Sequence, residues 1–242
     1  PQGGGAAGGG GLLTAHRQQV LAGRPMRRWV RINPLDGHLW REDLVTVMAG
    51  QPDGIMVPKA QGPDQLRMLS AELYELEHRH GIATNATRVL PLVSETAAAA
   101  LSIPAYAREE LPRLAGLTWG AEDLSAAVGA TRKRDANGLW TPLFQMVRSQ
   151  TLLAAHARKV AAIDTLHADF RDLAGLKAVA EASRSDGFTG MLAIHPDQVS
   201  VINAAFAASE AEIAEARAIV DLFAANPSAG VLQFEGRMVD QP

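Results

Sequence analysis

There is no cysteine anywhere in the 242 residues. That absence removes disulfides, thiolate metal sites and a cysteine nucleophile together, and it fits a reducing, cytoplasmic setting. No run of about 18 apolar residues occurs, so no membrane-spanning helix is expected. Neither sign of charge is in excess: 23 Lys and Arg stand against 26 Asp and Glu, a net −3. Such a balance gives no basis for a nucleic-acid or membrane partner. There is no GxGxxG after a strand, no GKS or GKT loop and no GxSxG. Dinucleotide-binding, P-loop and serine-hydrolase readings therefore lack support. Residues 1–11 are glycine-rich, without a basic flank or an apolar centre; they read as a flexible leader, not a signal peptide.

What is present is an alternation of short apolar runs with longer amphipathic segments. The runs are 29–33 (WVRIN), 54–59 (GIMVPK), 89–95 (VLPLVSE), 116–120 (GLTWG), 161–167 (AAIDTLH) and 191–195 (MLAIH). Most are rich in Val, Ile and Leu, as strands buried on both faces of a parallel sheet are. Between them lie helical candidates. Residues 63–80 carry Leu66, Leu69, Leu73 and Leu76 at spacings of three and four, with Gly81 as a stop. Residues 141–159 open on Thr-Pro, suited to an N-cap and first helical position. Residues 209–225 open on Ser-Glu-Ala-Glu and carry Ile213, Ala216, Val220 and Phe223 along one stripe. A further helix is expected over 12–22. Strand–helix alternation is the signature of an α/β fold. Six strands satisfy an open doubly wound sheet; an eight-stranded barrel requires two more, and periodicity alone does not choose.

In parallel α/β folds the reactive side chains stand at the carboxyl ends of strands. Here that rule selects Arg31, Lys59, Glu95, Asp123, Asp164 and His195. Glu95 and Asp123 are about one strand–helix unit apart, so adjacent strands can bring them together. Two carboxylates with open water positions suit Mg²⁺, a hard ion that prefers oxygen; the alternative is a helix N-cap for Asp123 and a surface turn for Glu95. Arg31 is placed to clamp a substrate carboxylate through its planar fork, or to form a structural ion pair. Lys59 can bind substrate or pair with a neighbouring acid. His78 and His80 end a charged helix and read as solvated. His195 suits orienting a loop better than holding a metal, because no second histidine stands at ligand spacing. The run Arg132-Lys133-Arg134 reads as a solvated loop or as a contact for the phosphates of a coenzyme A.

Six segments in order (VRINPLDG, GIMVPKA, LVSETAAA, GLTWGAEDLSAAVGA, AAIDTLHADFRD and GFTGMLAIHPDQV) resemble the HpcH/HpaI aldolase and citrate lyase beta-subunit family, from about Arg28 to Pro242. The resemblance implies a TIM barrel in a homotrimer or hexamer. It implies a magnesium-dependent lyase that cleaves a carbon–carbon bond in a coenzyme A thioester such as citramalyl-, malyl- or citryl-CoA. It implies Glu95 (in SETA) and Asp123 (in GAED) as Mg²⁺ ligands and Arg31 (in VRIN) on the substrate carboxylate. The C-terminal GRMVDQP resembles the family's lid, whose aspartate, here Asp240, enters a neighbouring subunit's active site as an acid–base residue. On this reading residues 12–206 form the barrel unit and 207–242 a C-terminal helical lid segment.

The chain departs from the family pattern in three places. The first strand (LFVPG) and the second, with its acidic DLED motif, are missing ahead of WVRIN, so a barrel short of its first two strands is expected. Met191 stands where the pattern GFTGK has lysine. The chain stops at Pro242, directly after the lid aspartate, where relatives continue with a helix. Two further readings accompany the lyase: an aldolase on free hydroxy-keto acids that releases pyruvate, and an inactive truncated family member.

Overall fold

Six short strands run parallel and carry the fold: β1 (Trp29–Arg31), β2 (Gly54–Val57), β3 (Arg88–Pro91), β4 (Gly116–Thr118), β5 (Ala161–Asp164) and β6 (Gly190–Met191). In this computed structural model residues 26–241 are described; the glycine-rich 1–11, the helix expected over 12–22, and Pro242 lie outside them. The strands form two three-stranded sheets in the orders β1-β2-β3 and β4-β5-β6. Isolated parallel bridges, Val89 to Leu114 and Leu92 to Thr118, join β3 to β4, so the strands follow one another in chain order across the seam. Among the described residues no pairing links β6 back to β1. The expected α/β fold with a parallel sheet is what the chain forms.

Each strand is followed by a helix: α1 (Trp40–Met48) after β1, α2 (Pro63–His80) after β2, α3 (Ala97–Tyr106) after β3, α4 (Ala121–Ala127) and α5 (Pro142–Ala157) after β4, and α6 (Leu173–Ser185) after β5. After β6 come α7 (Pro196–Phe206) and α8 (Glu210–Ala225). The leucine stripe of α2 lies buried against the sheet, and Gly81 ends the helix in the left-handed conformation. Thr141 and Pro142 stand at the start of α5 as expected. The main core lies between strands and helices, with Ile55, Val57, Val89, Leu117 and Trp119 meeting Leu44, Leu69, Leu73, Ile103 and Phe144. A smaller cluster (Leu176, Ala180, Met191, Ile202 and Ala205) sits under α6 and α7. Met191, the departure from the family's lysine, is therefore core packing. Strand alternation puts Gly116 and Thr118 on the other face of β4 from the core residue Leu117.

Three expectations need correction. All six apolar runs extend past their strands, which end at Arg31, Val57, Pro91, Thr118, Asp164 and Met191, and the remaining residues turn away as loops. The stripe on α8 is not a core face. Of its four residues only Phe223 is buried; Ile213 and Val220 are exposed, because in the single chain α8 packs against little beyond the segment that follows it. The 207–242 segment is also not wholly helical. After α8 an antiparallel hairpin of β7 (Val231–Phe234) and β8 (Arg237–Asp240) closes the chain, turning at Glu235 and Gly236, both with positive φ. No helix among the described residues is long and apolar enough to cross a membrane.

Candidate active site at the carboxyl ends of β1 to β4

The segments leaving β2, β3 and β4 bring three of the expected side chains together. Glu95 follows β3 and is buried at 4% exposure. Its Oε2 accepts the backbone N–H of Lys59, just past β2. Lys59 holds a left-handed backbone, φ 52°, rare away from glycine. Its Nζ lies 3.7 Å from Asp123 Oδ1, in the first turn of α4. The Lys59 and Asp123 side chains are 44% and 48% exposed, so the cluster opens to solvent on one side and is closed on the Glu95 side. Burial is the main reason the Glu95 carboxyl is pushed above the usual glutamate range; the Lys59 N–H and the Arg31 charge oppose that shift, and Asp123 adds to it. Arg31 ends β1 exposed and makes no ion pair or hydrogen bond among the described residues, which leaves its fork open to a ligand.

The local backbone explains this convergence. Ser94 Oγ accepts the Gly120 N–H at 3.0 Å, tying the end of β3 to the start of α4. A side chain at Gly120 would crowd Glu95, because an ideal Cβ there falls 3.1 Å from Glu95 Cγ. Asp43 Oδ2 accepts both the backbone and side-chain N–H of Asn33 at 2.7 Å, which pins the segment leaving β1.

Other candidates lie apart from this cluster. Asp164 is fully engaged. Its Oδ1 accepts from Trp119 Nε1 at 2.6 Å and from Thr165 N at 2.8 Å, and its Oδ2 from Arg148 Nη2 at 2.8 Å and Ser183 Oγ at 2.6 Å. His195 caps α7, accepting from Asp197 N at 3.3 Å, and stacks on Phe170. Lys133 pairs with Glu122 and Arg134 lies 3.7 Å over the Trp140 ring, while Arg132 is exposed. Asp240 is exposed on β8 and makes no hydrogen bond or ion pair among the described residues. Sequence reasoning missed Trp119, Arg148, Ser183 and Ser94. Arg148 did carry a signal: it falls within the buried stripe of Phe144, Val147 and Thr151 on α5, where a guanidinium needs an acid.

The donor set suits a hard divalent cation. Two carboxylates of like charge approach each other, and one resists ionisation because it is buried beside the other. No group of three or more His, Cys, Asp or Glu side chains stands ready for a metal among the described residues. A two-carboxylate site whose other positions go to water and substrate is the usual arrangement for Mg²⁺.

Comparison with known proteins gives the same family as the motifs. A "Citrate lyase subunit beta-like protein" of Mycobacterium tuberculosis is 34% identical over 218 residues, covering 90% of this chain and 72% of the relative. The "Citramalyl-CoA lyase, mitochondrial" of Mus musculus is 30% identical over 224 residues, covering 88% of this chain and 64% of that protein. The crystal structure of CitE from Mycobacterium tuberculosis, in complex with magnesium, acetoacetate and coenzyme A, superposes with a TM-score of 0.67 at 32% identity, covering 95% of this chain and 78% of that one. The family match begins well ahead of the Arg28 at which the motifs start. With its model matched across residues 12–196, the chain belongs to the HpcH/HpaI aldolase/citrate lyase family.

Proposed function

We propose that this protein is a magnesium-dependent carbon–carbon lyase acting on a coenzyme A thioester of a hydroxy acid, of the citramalyl-, malyl- or citryl-CoA kind. The observation that carries the reading is the meeting of Glu95, Asp123 and Lys59 at the carboxyl ends of the strands, within reach of the Arg31 charge. Relatives named for citramalyl-CoA lyase, and a neighbour crystallised with magnesium and coenzyme A, support it.

On this reading Glu95 and Asp123 hold the ion. When bound, it supplies Lewis acidity to the oxygens of the acid portion. Arg31 takes the substrate carboxylate in a two-point contact and fixes the scissile bond relative to the carboxylates. Lys59 holds Glu95 through its N–H and balances Asp123 through its ammonium. In the cleavage, the hydroxyl loses its proton, the bond between the carbinol carbon and the α-carbon of the thioester breaks, and a keto acid leaves. The electron pair passes into the thioester enolate, whose carbon takes up a proton. Asp240, carried on the exposed β7–β8 hairpin of a neighbouring subunit in a trimer or hexamer, takes up the hydroxyl proton and delivers it to that carbon. Residues 12–206 then belong to a TIM barrel and 207–242 to its lid. Arg132, on the loop between α4 and α5, reaches for the phosphates of the coenzyme.

The test is turnover of malyl-, citramalyl- and citryl-CoA with Mg²⁺, read as released acyl-CoA. Activity is expected with at least one of them, abolished by chelation and in Glu95→Ala and Asp123→Ala. Cleavage of free hydroxy-keto acids, with none of the thioesters turned over, would replace the lyase with an aldolase; silence on both sets would leave an inactive member.

A further inference from the structure

An elaborately bonded buried carboxylate lies one layer behind the candidate site. Asp164 ends β5 at 2% exposure, turned with Ala162 toward the helices. Five donors from four elements converge on its two oxygens: the Trp119 indole, the Thr165 backbone, the Arg148 guanidinium through both Nε (3.0 Å) and Nη2, and the Ser183 hydroxyl. Arg148 reaches onward to Asp186 at 2.7 Å and lies 4.6 Å over the Phe188 ring. A buried carboxylate saturated in this way is a rigid anchor.

What it anchors is Trp119. That residue immediately precedes Gly120, the N-cap of α4, and Asp123 sits in the first turn of that helix. The same backbone borders Glu95, through the close approach at Gly120 and the Ser94 hydrogen bond. The β4–α4 junction is thus held from two sides, by Ser94 just past β3 and by Asp164 on β5, which accepts the Trp119 N–H. The indole is also braced edge-on by Trp140 at 5.1 Å, on the loop whose Lys133 pairs with Glu122, the neighbour of Asp123. Packing alone needs a ring at position 119. It does not need the N–H aimed at a carboxylate.

We propose that Trp119 and Asp164, with Arg148 and Ser183 behind them, are positioning residues for the metal-binding carboxylates: the indole-to-Asp164 hydrogen bond sets the β4–α4 junction and thereby the separation of Asp123 from Glu95. This rests on the reading of Glu95 and Asp123 as Mg²⁺ ligands. It extends the site from the strand ends into the helix layer, and outer partners of this sort tune metal affinity without touching the metal.

The experiment titrates Mg²⁺ into the full chain by calorimetry, without substrate, beside a thermal melt. Trp119→Phe keeps an aromatic ring and deletes the N–H. Glu77→Gln disturbs the buried Glu77–Arg113 pair, which belongs to α2 and the segment before β4, and serves as the control for lost stability. Trp119→Phe is expected to raise the Mg²⁺ Kd about tenfold, whereas Glu77→Gln lowers Tm and leaves Kd within about twofold of wild type. Should Trp119→Phe not fold, Ser183→Ala, which removes one donor from the far side of Asp164, is read instead, with a rise of about threefold expected. An unchanged Kd in the folded variant overturns the proposal while the lyase reading stands. A wild-type chain that binds no Mg²⁺, or binds it equally in Glu95→Ala, overturns both. Tight binding that responds to Trp119→Phe, without turnover of any thioester, upholds the positioning role and removes the lyase.

Discussion

Gly120→Ala adds one methyl group at the place where the candidate site is tightest. Gly120 has φ −124° and ψ 113°, an extended conformation alanine adopts without strain. Losing glycine's freedom in the unfolded chain favours the variant by about 0.4–1 kcal/mol. Against this, the new Cβ would lie 3.1 Å from Glu95 Cγ, 3.6 Å from Glu95 Oε1 and 3.6 Å from Leu92 Cδ2. Overpacking of a well-filled site costs about 1–3 kcal/mol. Here only one contact is too close, so the low end applies and the two effects nearly cancel. Tm should move by no more than about 4 °C, roughly what 1 kcal/mol produces in a domain of this size. The displacement cannot be absorbed freely, because the far side of the Glu95 carboxylate is held by the Lys59 N–H. A shift of a few tenths of an ångström at Glu95 is therefore expected. Since a misplacement of about 1 Å costs on the order of 100-fold in rate, kcat/KM for the preferred thioester should fall about tenfold. The apparent Mg²⁺ requirement should rise with it. The assay is acyl-CoA release across a Mg²⁺ series, with a thermal melt on the same preparation. Wild-type activity and Mg²⁺ dependence in a folded Gly120→Ala protein would refute the placement of Glu95 in the site; a loss of activity fully explained by unfolding would refute the near-cancellation of the two effects.

Arg113→Ala strands Glu77, whose carboxylate accepts two guanidinium bonds at 2.6 and 2.8 Å and lies almost fully buried. Leaving one member of such a pair costs about 3–5 kcal/mol, to be seen as a large fall in the denaturation midpoint. Glu212 behaves oppositely to a raised group. The backbone and hydroxyl of Ser209, with Arg184, hold its carboxyl down to about 2. Its capping contribution to α8 is present above the ordinary glutamate range and is lost as pH falls through the folded value; amide exchange at the start of α8 should accelerate on acidification, and Glu212→Gln should flatten that dependence. Arg31→Ala, which removes an exposed side chain with no hydrogen bond or ion pair among the described residues, should leave Tm nearly unchanged and raise KM for the thioester substrate by about 10-fold or more, on the scale of one lost charge-assisted contact of about 1.5–3 kcal/mol.

Local chemistry was the part of the fold written most plainly along the chain. α2 was legible at both ends, because its leucine stripe and Gly81 act within the helix itself. The Ser209–Glu212 capping box is likewise a local device, and it formed. α3 carried no such sign. Its sequence, AAAALSIPAY, is apolar on every face and contains Pro104, so no stripe marks it as a helix until the sheet covers one side. The β7–β8 hairpin is short and largely exposed, with little apolar alternation, and it was missed for that reason. For the site, the strand-end rule selected Arg31, Lys59, Glu95 and Asp123, whose meeting needs only the order of neighbouring strands. It also selected Asp164, and could not tell that this carboxylate turns toward the helices. The distant partners that engage Asp164 come from the residue after β4, from α5 and from α6, up to 45 residues away, and only tertiary packing brings them together.

The candidate site also straddles an interrupted line in the sheet. Between β3 and β4 no continuous ladder forms among the described residues. The halves are joined by the bridges at Val89 and Leu92, by backbone hydrogen bonds from Val89 N to Arg113 O, Ala115 N to Val89 O and Val93 N to Thr118 O, and by the side chains of Arg88 and Ser94. Glu95 stands on one side of this seam and Asp123 on the other. An ion shared by them would close the seam, whereas two facing carboxylates alone push it open. Ligand at about 100 times its Kd stabilises the binding-competent state by about 2.7 kcal/mol, so openings that part the seam become about 100-fold rarer. The amides of Val93 and Ala115 should then exchange far more slowly with Mg²⁺ than with chelator. The amide of Thr189, bonded to Ala162 O within the second sheet, should respond much less. Glu95→Ala should remove the difference. Equal protection at Thr189 and Val93 would show that the ion acts only on global unfolding, and no protection at either would place it elsewhere; both outcomes are incompatible with a cation bridging the two halves at Glu95 and Asp123.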